Sequence, residues 1–352
     1  MKPRFVFVGR NQFGYHTDSY KWCESLRDSY HVTYICFDYK RPRLAMDGVK
    51  VIYVSRTLPE KLRGMMLLLT GIAHSLNPKS KIFIEYFPKC SWIKRALPWH
   101  RMCIDVRTMH VVESAADRKR LDNAMIAECR PFDIRSAISN GVIKQLGYPG
   151  MHLLPLGADV ISQAPKAYDD EIRLLYVGAF NNRNIDLTIR GLKIFRDKHP
   201  EVAVTYELIG FGETYDEQLI QDTIKETVLG DVINYRGRVP YDKLKPYFDT
   251  ANVGFSFVPM TDYYEHQPPT KTYEYAMSGI YSIATATQAN KDIVTADNGV
   301  LIDDTAEGVA KGIEHYWLTR KSLNEANIRA SLKEYSWKNI CENYLRPIID
   351  QL

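Results

Sequence analysis

At 352 residues, with 45% hydrophobic and 25% charged positions, the chain can build two domain-sized cores of roughly 150 to 180 residues each. A net charge of +4 suits phosphate ligands or an anionic surface and is too small to indicate nucleic acid. Six scattered cysteines (Cys23, Cys36, Cys90, Cys103, Cys129 and Cys341) form no C-x-x-C pair and no zinc spacing, so reduced, mostly buried thiols in a cytoplasmic protein are expected.

The chain opens on "MKPRFVFVGRNQFGYH", whose apolar run is too short for a secretory leader. "RFVFVG" (4–9) reads as a buried strand and 19–28 as the helix after it. "HVTYICF" (31–37), "VKVIYVS" (49–55), "KIFIEYF" (81–87) and "MCIDVRT" (102–108) are further strands. Helices are expected at 59–76, 91–97 and 114–129. The most apolar window, "MMLLLTGIA" (65–73), falls short of the roughly 20 residues that a membrane span requires. "PKCSWIKRALPWHR" (88–101) is basic and aromatic, and suits either a lipid headgroup interface or a helix with buried tryptophans. At 155–171 the pattern lapses into linker-like glycine, proline and polar residues. It restarts with strands at 172–180, 203–212, 232–239, 253–259, 281–285 and 299–303, and helices at 185–197 and 214–228. Residues 307–347 read as helical. Alternating strand and helix predict two doubly wound, Rossmann-like α/β domains with parallel sheets, facing across a cleft. The expected limits are 1–165, 166–330 and a closing helix at 331–352.

"PPTKTYEYAMSGIYSIAT" (268–285) carries the chemistry. A double proline precedes Thr270, read as a helix N-cap, so the first turn presents free N–H groups to an anion. Lys271 adds a cation there. Glu274, one turn on, either accepts both hydroxyls of a ribose or complements the helix dipole. Gly279 closes the helix. Gly178 and Gly210 sit at strand ends where a ligand can approach the backbone, and Arg183 follows Gly178 in a polar loop. Tyr215 occupies the third position of G-x-G-x-x-G, so that dinucleotide fingerprint is incomplete. The backbone around Arg238 and Val239 is placed to meet a base.

The ordered motifs "LLYVGAFNNRN", "YELIGFGE", "INYRGRVPYDKLKPYFDTANVGFSFVP", "PPTKTYEYAMSGIYSIAT" and "NGVLID" resemble the GT-B glycosyltransferases, in particular retaining family 4, over roughly 130–345. The resemblance implies a retaining, hexosyl-type transferase that uses a nucleoside diphosphate sugar. Its acceptor would be a saccharide or a lipid-linked sugar, in polysaccharide or glycolipid assembly. It implies that Glu274 binds ribose and that Arg183 and Lys271 bind the diphosphate. Thr108-Met109-His110 resembles the family's T-x-H, which would set His110 beside the transferring sugar; a core histidine is the plain alternative. Gly14 matches the glycine that lets the first loop approach phosphate. Two positions depart from the pattern. Ala179 stands where many members carry arginine, and His266 where the first glutamate of E-x7-E would fall. No D-x-D is present, so no metal or other cofactor is expected. A non-catalytic nucleotide- or partner-binding subunit is the alternative, and a nucleotide-sugar epimerase a third reading.

Overall fold

The β-branched and aromatic runs fold as parallel strands in two separate sheets. The computed structural model describes residues 2–352. The first sheet contains β1 (Arg4–Val8), β2 (His31–Asp38), β3 (Val49–Ser55), β4 (Ser80–Glu85), β5 (Met102–Val106), β6 (Ile134–Ala137) and β7 (His152–Leu153), in the order β3-β2-β1-β4-β5-β6-β7. Its helices are α1 (Thr17–Leu26), α2 (Glu60–Ser75), α3 (Ser91–Ala96), α4 (Ala115–Cys129) and α5 (Asn140–Leu146). β5 is buried along its whole length, as a central strand covered on both faces must be. Phe7 stacks on Tyr34 at 4.7 Å and on Phe83 at 5.9 Å, and this aromatic column anchors the core.

The second sheet contains β8 (Glu171–Ala179), β9 (Ala203–Phe211), β10 (Ile233–Gly237), β11 (Val253–Ser256), β12 (Tyr281–Thr285) and β13 (Gly299–Ile302), in the order β10-β9-β8-β11-β12-β13. Its helices are α6 (Asp186–Lys198), α7 (Thr214–Glu226), α8 (Lys245–Thr250), α9 (Thr270–Met277), α10 (Gln288–Lys291) and α11 (Ala306–Thr319). Strand order reverses at β1/β4 in one sheet and at β8/β11 in the other. Ligands of open α/β sheets bind at such points, beyond the strands' carboxyl ends.

The units are residues up to Leu156 together with Trp337–Leu352, and Gly157–Ser336. The breaks differ from the 165/166 and 330/331 read from the sequence, for a physical reason. Part of the linker-like stretch is bonded into the second unit: the Ser162 hydroxyl donates to Asp249 at 2.6 Å, and Arg329 donates to the Ser162 carbonyl at 2.8 Å. Residues 337–352 belong to the first unit, where Arg346 donates to the Ser25 carbonyl and Lys81 to that of Ile349. The stretch 307–347 read as helical is helical in successive segments, the first of them α11. Asn324 starts a new helix at Glu325 by accepting the Asn327 N–H at 3.2 Å. The short β6 and β7 add two strands, at one edge of the first sheet, to those expected from the sequence. All six cysteines are free and buried.

Gly178 and Gly210 pair directly across β8 and β9. A Cβ on Gly210 would overlap the Gly178 carbonyl oxygen and the Phe180 ring. Overpacking of this kind costs about 2–3 kcal/mol. Gly210→Ala is therefore expected to lower the urea unfolding midpoint clearly, and an unchanged midpoint would contradict such close seating of the two strands.

Candidate active site

α9 is seated against the end of β8 from within the second unit. Tyr275 accepts the Val177 N–H at 3.1 Å, and Thr272 bonds to Asn290 at 3.1 Å. The N-cap is Pro269 and not Thr270, because the double proline holds an extended backbone one residue longer (ψ 125°); Thr270 is the first helical residue. No N-cap side chain serves the first turn, which leaves that end of the helix suited to an external anion. Gly279 follows the helix with φ +73°, the left-handed conformation expected of it.

The helix borders a cavity of about 300 Å³ lined by Gly178, Ala179, Arg183, Tyr264, Lys271 and Glu274 among others. Arg183, Lys271, Glu274, Thr270 and Gly178 are thus brought together. Lys271 Nζ lies 3.9 Å above the Tyr176 ring, and the Arg183 guanidinium 4.1 Å above that of Tyr264. A Cβ on Gly178 would come within 2.9 Å of Lys271 Nζ, so glycine keeps the lysine's position open. Asn182 and Asn184, both left-handed (φ 54° and 50°), turn the chain on either side of Arg183. Neither cation makes an ion pair with a carboxylate among the described residues.

Burial, and then the neighbouring Arg183 charge, hold the Lys271 ammonium well below the usual lysine range; Glu274 opposes this. Burial raises the Glu274 carboxyl to about 7, with the charge of Asp159 adding and the Tyr241 hydroxyl and Lys271 opposing. Tyr241 donates to Glu274 Oε1 at 3.1 Å, which leaves Oε2 without a protein partner among the described residues. Two mutually repelling cations beside a buried carboxylate form a site that an anion would relieve.

The other residues read from the sequence lie elsewhere. Gly210 is needed for strand packing and does not line the cavity. Arg238 is exposed over the Phe211 ring at 4.7 Å, and Val239 packs on the core around Leu175 and Tyr275. Glu265, next to His266, accepts the Gln288 N–H at the start of α10. In the first unit Gly14 has φ +86°, and a Cβ there would overlap Leu44. His110 follows β5, with Nδ1 and its backbone N–H both on Asp122 Oδ1, at 2.9 and 3.1 Å. Sequence reasoning missed Tyr176, Tyr241 and Tyr264. A tyrosine in a strand or loop has no spacing rule that marks it as a platform or tether.

Residues 171–317 match the model of the family described as Glycosyl transferases group 1. Sucrose-phosphate synthase from Thermosynechococcus elongatus superposes with a TM-score of 0.77 at 15% identity, over 100% of this chain and 99% of that one. HepE from Anabaena, in complex with UDP and glucose, gives 0.74 at 10% identity over 99% and 100%. The UDP-forming trehalose-phosphate synthase from Burkholderia xenovorans, in complex with glucose-6-phosphate, gives 0.70 at 10% over 98% and 99%. No curated protein sequence matches the chain. The fold is GT-B, and within the second unit the chain is similar, over residues 171–317, to the group 1 glycosyltransferases.

The raised Glu274 carboxyl implies a pH-dependent stability. It is raised from 4.5 to about 7 in the fold. Between those values the native state keeps a proton that the unfolded chain has lost, so stability falls as pH rises through the window, by roughly 3 kcal/mol in total. Glu274→Gln is therefore expected to gain stability relative to wild type at pH 7.5 but not at pH 4.5, measured by urea unfolding at both. The same difference at the two pH values would contradict the raised carboxyl.

Proposed function

We propose that the chain is a retaining glycosyltransferase that moves a sugar from a nucleoside diphosphate sugar to a saccharide or lipid-linked acceptor, as in cell-surface polysaccharide or glycolipid assembly. The observation that carries this reading is the convergence of Arg183, Lys271 and Glu274 on one cavity, with neither cation ion-paired. In this reading the diphosphate lies between the cations and the Glu274 carboxylate takes the ribose hydroxyls. Similarity to structures that hold UDP with glucose, or glucose-6-phosphate, supports the donor and acceptor classes.

As the bond from the anomeric carbon to the phosphate oxygen breaks, negative charge builds on the β-phosphate. Cations fixed in place beforehand stabilise that charge more in the transition state than in the ground state. A unit charge pair at about 4 Å in an effective dielectric near 20 is worth roughly 4 kcal/mol. If half of that is differential, each cation contributes more than about tenfold in rate. Arg183 and Lys271 fill the role that a metal has elsewhere, so the reaction is proposed to need none. His110 is assigned to the sugar or acceptor hydroxyls. Asp122 fixes its ring through Nδ1, and Nε2 has no partner among the described residues.

Ala179 lines the cavity where an arginine would add a further cation, and this favours a second reading, a nucleotide-binding subunit that does not transfer. Incubation with a panel of UDP, GDP and ADP sugars in the presence of EDTA separates the two. The expected result is release of the nucleoside diphosphate from one donor, unaffected by EDTA and lowered about 10²-fold or more by Lys271→Ala. Tight nucleotide binding with no release from any donor would favour the non-catalytic reading. Activity lost to EDTA and restored by Mg²⁺ would overturn metal independence.

A further inference from the structure

The first unit carries an apolar surface that its own core does not use. Leu62, Met65, Met66, Leu69 and Leu76 are 39–59% exposed. Their positions, three to four residues apart from Leu62 through Met65 and Met66 to Leu69 and then seven on to Leu76 just past the end of α2, place them on one stripe. The opposite side of α2 carries the packing: Leu67 and Gly71 are buried, and a Cβ on Gly71 would lie 2.8 Å from Ile93 and 3.6 Å from Val8. The stripe is therefore left facing outward by a helix already seated on its inner side.

The C-terminal end of the stripe runs into an open cavity of about 940 Å³, which Ala73 and Leu76 help to line. The rest of its lining includes Lys2, Arg4, Lys50, Lys79, His31 and His74, and no carboxylate. None of those four cations is ion-paired to a carboxylate among the described residues. The cavity sits at the amino ends of β1 and β2, the opposite end of the sheet from the loops after β1 and β4. Trp99, 69% exposed, comes to the same edge because its neighbour His100 bonds the carbonyl of Asn77, which also lines the cavity, at 3.1 Å. Lys94, by contrast, is buried on Asp133 and the carbonyls of Pro98 and His100, so the basic run at 88–101 is partly structural.

An apolar stripe, an exposed tryptophan and an unpaired basic cavity together match one chemistry. Aliphatic side chains enter the headgroup–acyl boundary, tryptophan settles at that level, and cations attract lipid phosphates. We propose that this face docks on an anionic lipid bilayer, with the α2 stripe and Trp99 at the boundary and lipid phosphates in the basic cavity.

Co-sedimentation of the full chain with phosphatidylcholine vesicles, with and without phosphatidylglycerol, tests this without any transfer assay. Binding is expected to the phosphatidylglycerol vesicles and to weaken with salt. Each lysine removed costs roughly fivefold in partition, so Lys50→Ser with Lys79→Ser should weaken binding about 25-fold. Met65→Ser with Leu69→Ser should weaken it as well, and these exposed positions leave the unfolding midpoint near that of wild type. Equal partition to both vesicle types, or variants that bind like wild type, would overturn the proposal. So would stabilisation by glycerol phosphate without vesicle binding. A wild-type dimer that the Met65 and Leu69 variant dissociates, again without vesicle binding, would show that a second copy covers the face.

Discussion

Two positive side chains share one small cavity with no carboxylate paired to either, and the site depends on that repulsion being tolerated. Burial and the nearby guanidinium both disfavour a charged Lys271. What holds the arrangement is local: an aromatic ring beneath each cation, a glycine beside the ammonium, and a helix tethered to β8 through Tyr275. Groups held at such a cost to stability are the usual mark of a functional site. A bound diphosphate would relieve the repulsion, since it supplies the negative charge that the protein withholds.

The fold explains where this happens. Reversal of strand order between β8 and β11 parts the chain at their ends, so that the end of β8 and the loop after it deliver Gly178 and Arg183 on one side, and the loop after β11 delivers Tyr264 and α9 on the other. The first unit has the same reversal between β1 and β4. There it gathers a different set: Glu85 accepts from Asn11 at 2.9 Å, with His16 3.6 Å away, and Arg107 pairs with Asp18. Burial raises Asp105 to about 6, against the pull of Arg107 and of the Ser136 hydroxyl, which donates to it at 2.6 Å. One sheet topology thus carries an electropositive cavity in one unit and a buried, mixed-charge cluster in the other.

Much of this was legible in the sequence because strong local signals coincide with tertiary need. Apolar runs such as "RFVFVG" and "IRLLYVGAF" are strands whatever surrounds them, and Gly279 marks its helix end by needing a positive φ. The grouping of Arg183 with Lys271 and Glu274, nearly ninety residues apart, came from a family resemblance; spacing alone could not give it. What stayed hidden is what only packing decides. Gly210 reads like a ligand-approach glycine, and spacing does not reveal that the contact of its strand with Gly178 also leaves no room for a side chain. The linker-like composition at 155–171 conceals Ser162, which is bonded to Asp249 and Arg329. The apolar window at 65–73 reads only as too short for a membrane span; that much of it is exposed stays hidden, because helical periodicity fixes a stripe but not the side on which the sheet lies.

The most direct measurement is a crystal structure of the protein soaked with a nucleoside diphosphate. Its β-phosphate oxygens are expected within hydrogen-bond distance of Lys271 Nζ and the Arg183 guanidinium, with the ribose hydroxyls on the Glu274 carboxylate. A nucleotide bound elsewhere, with those three groups left to solvent, would contradict the assignment.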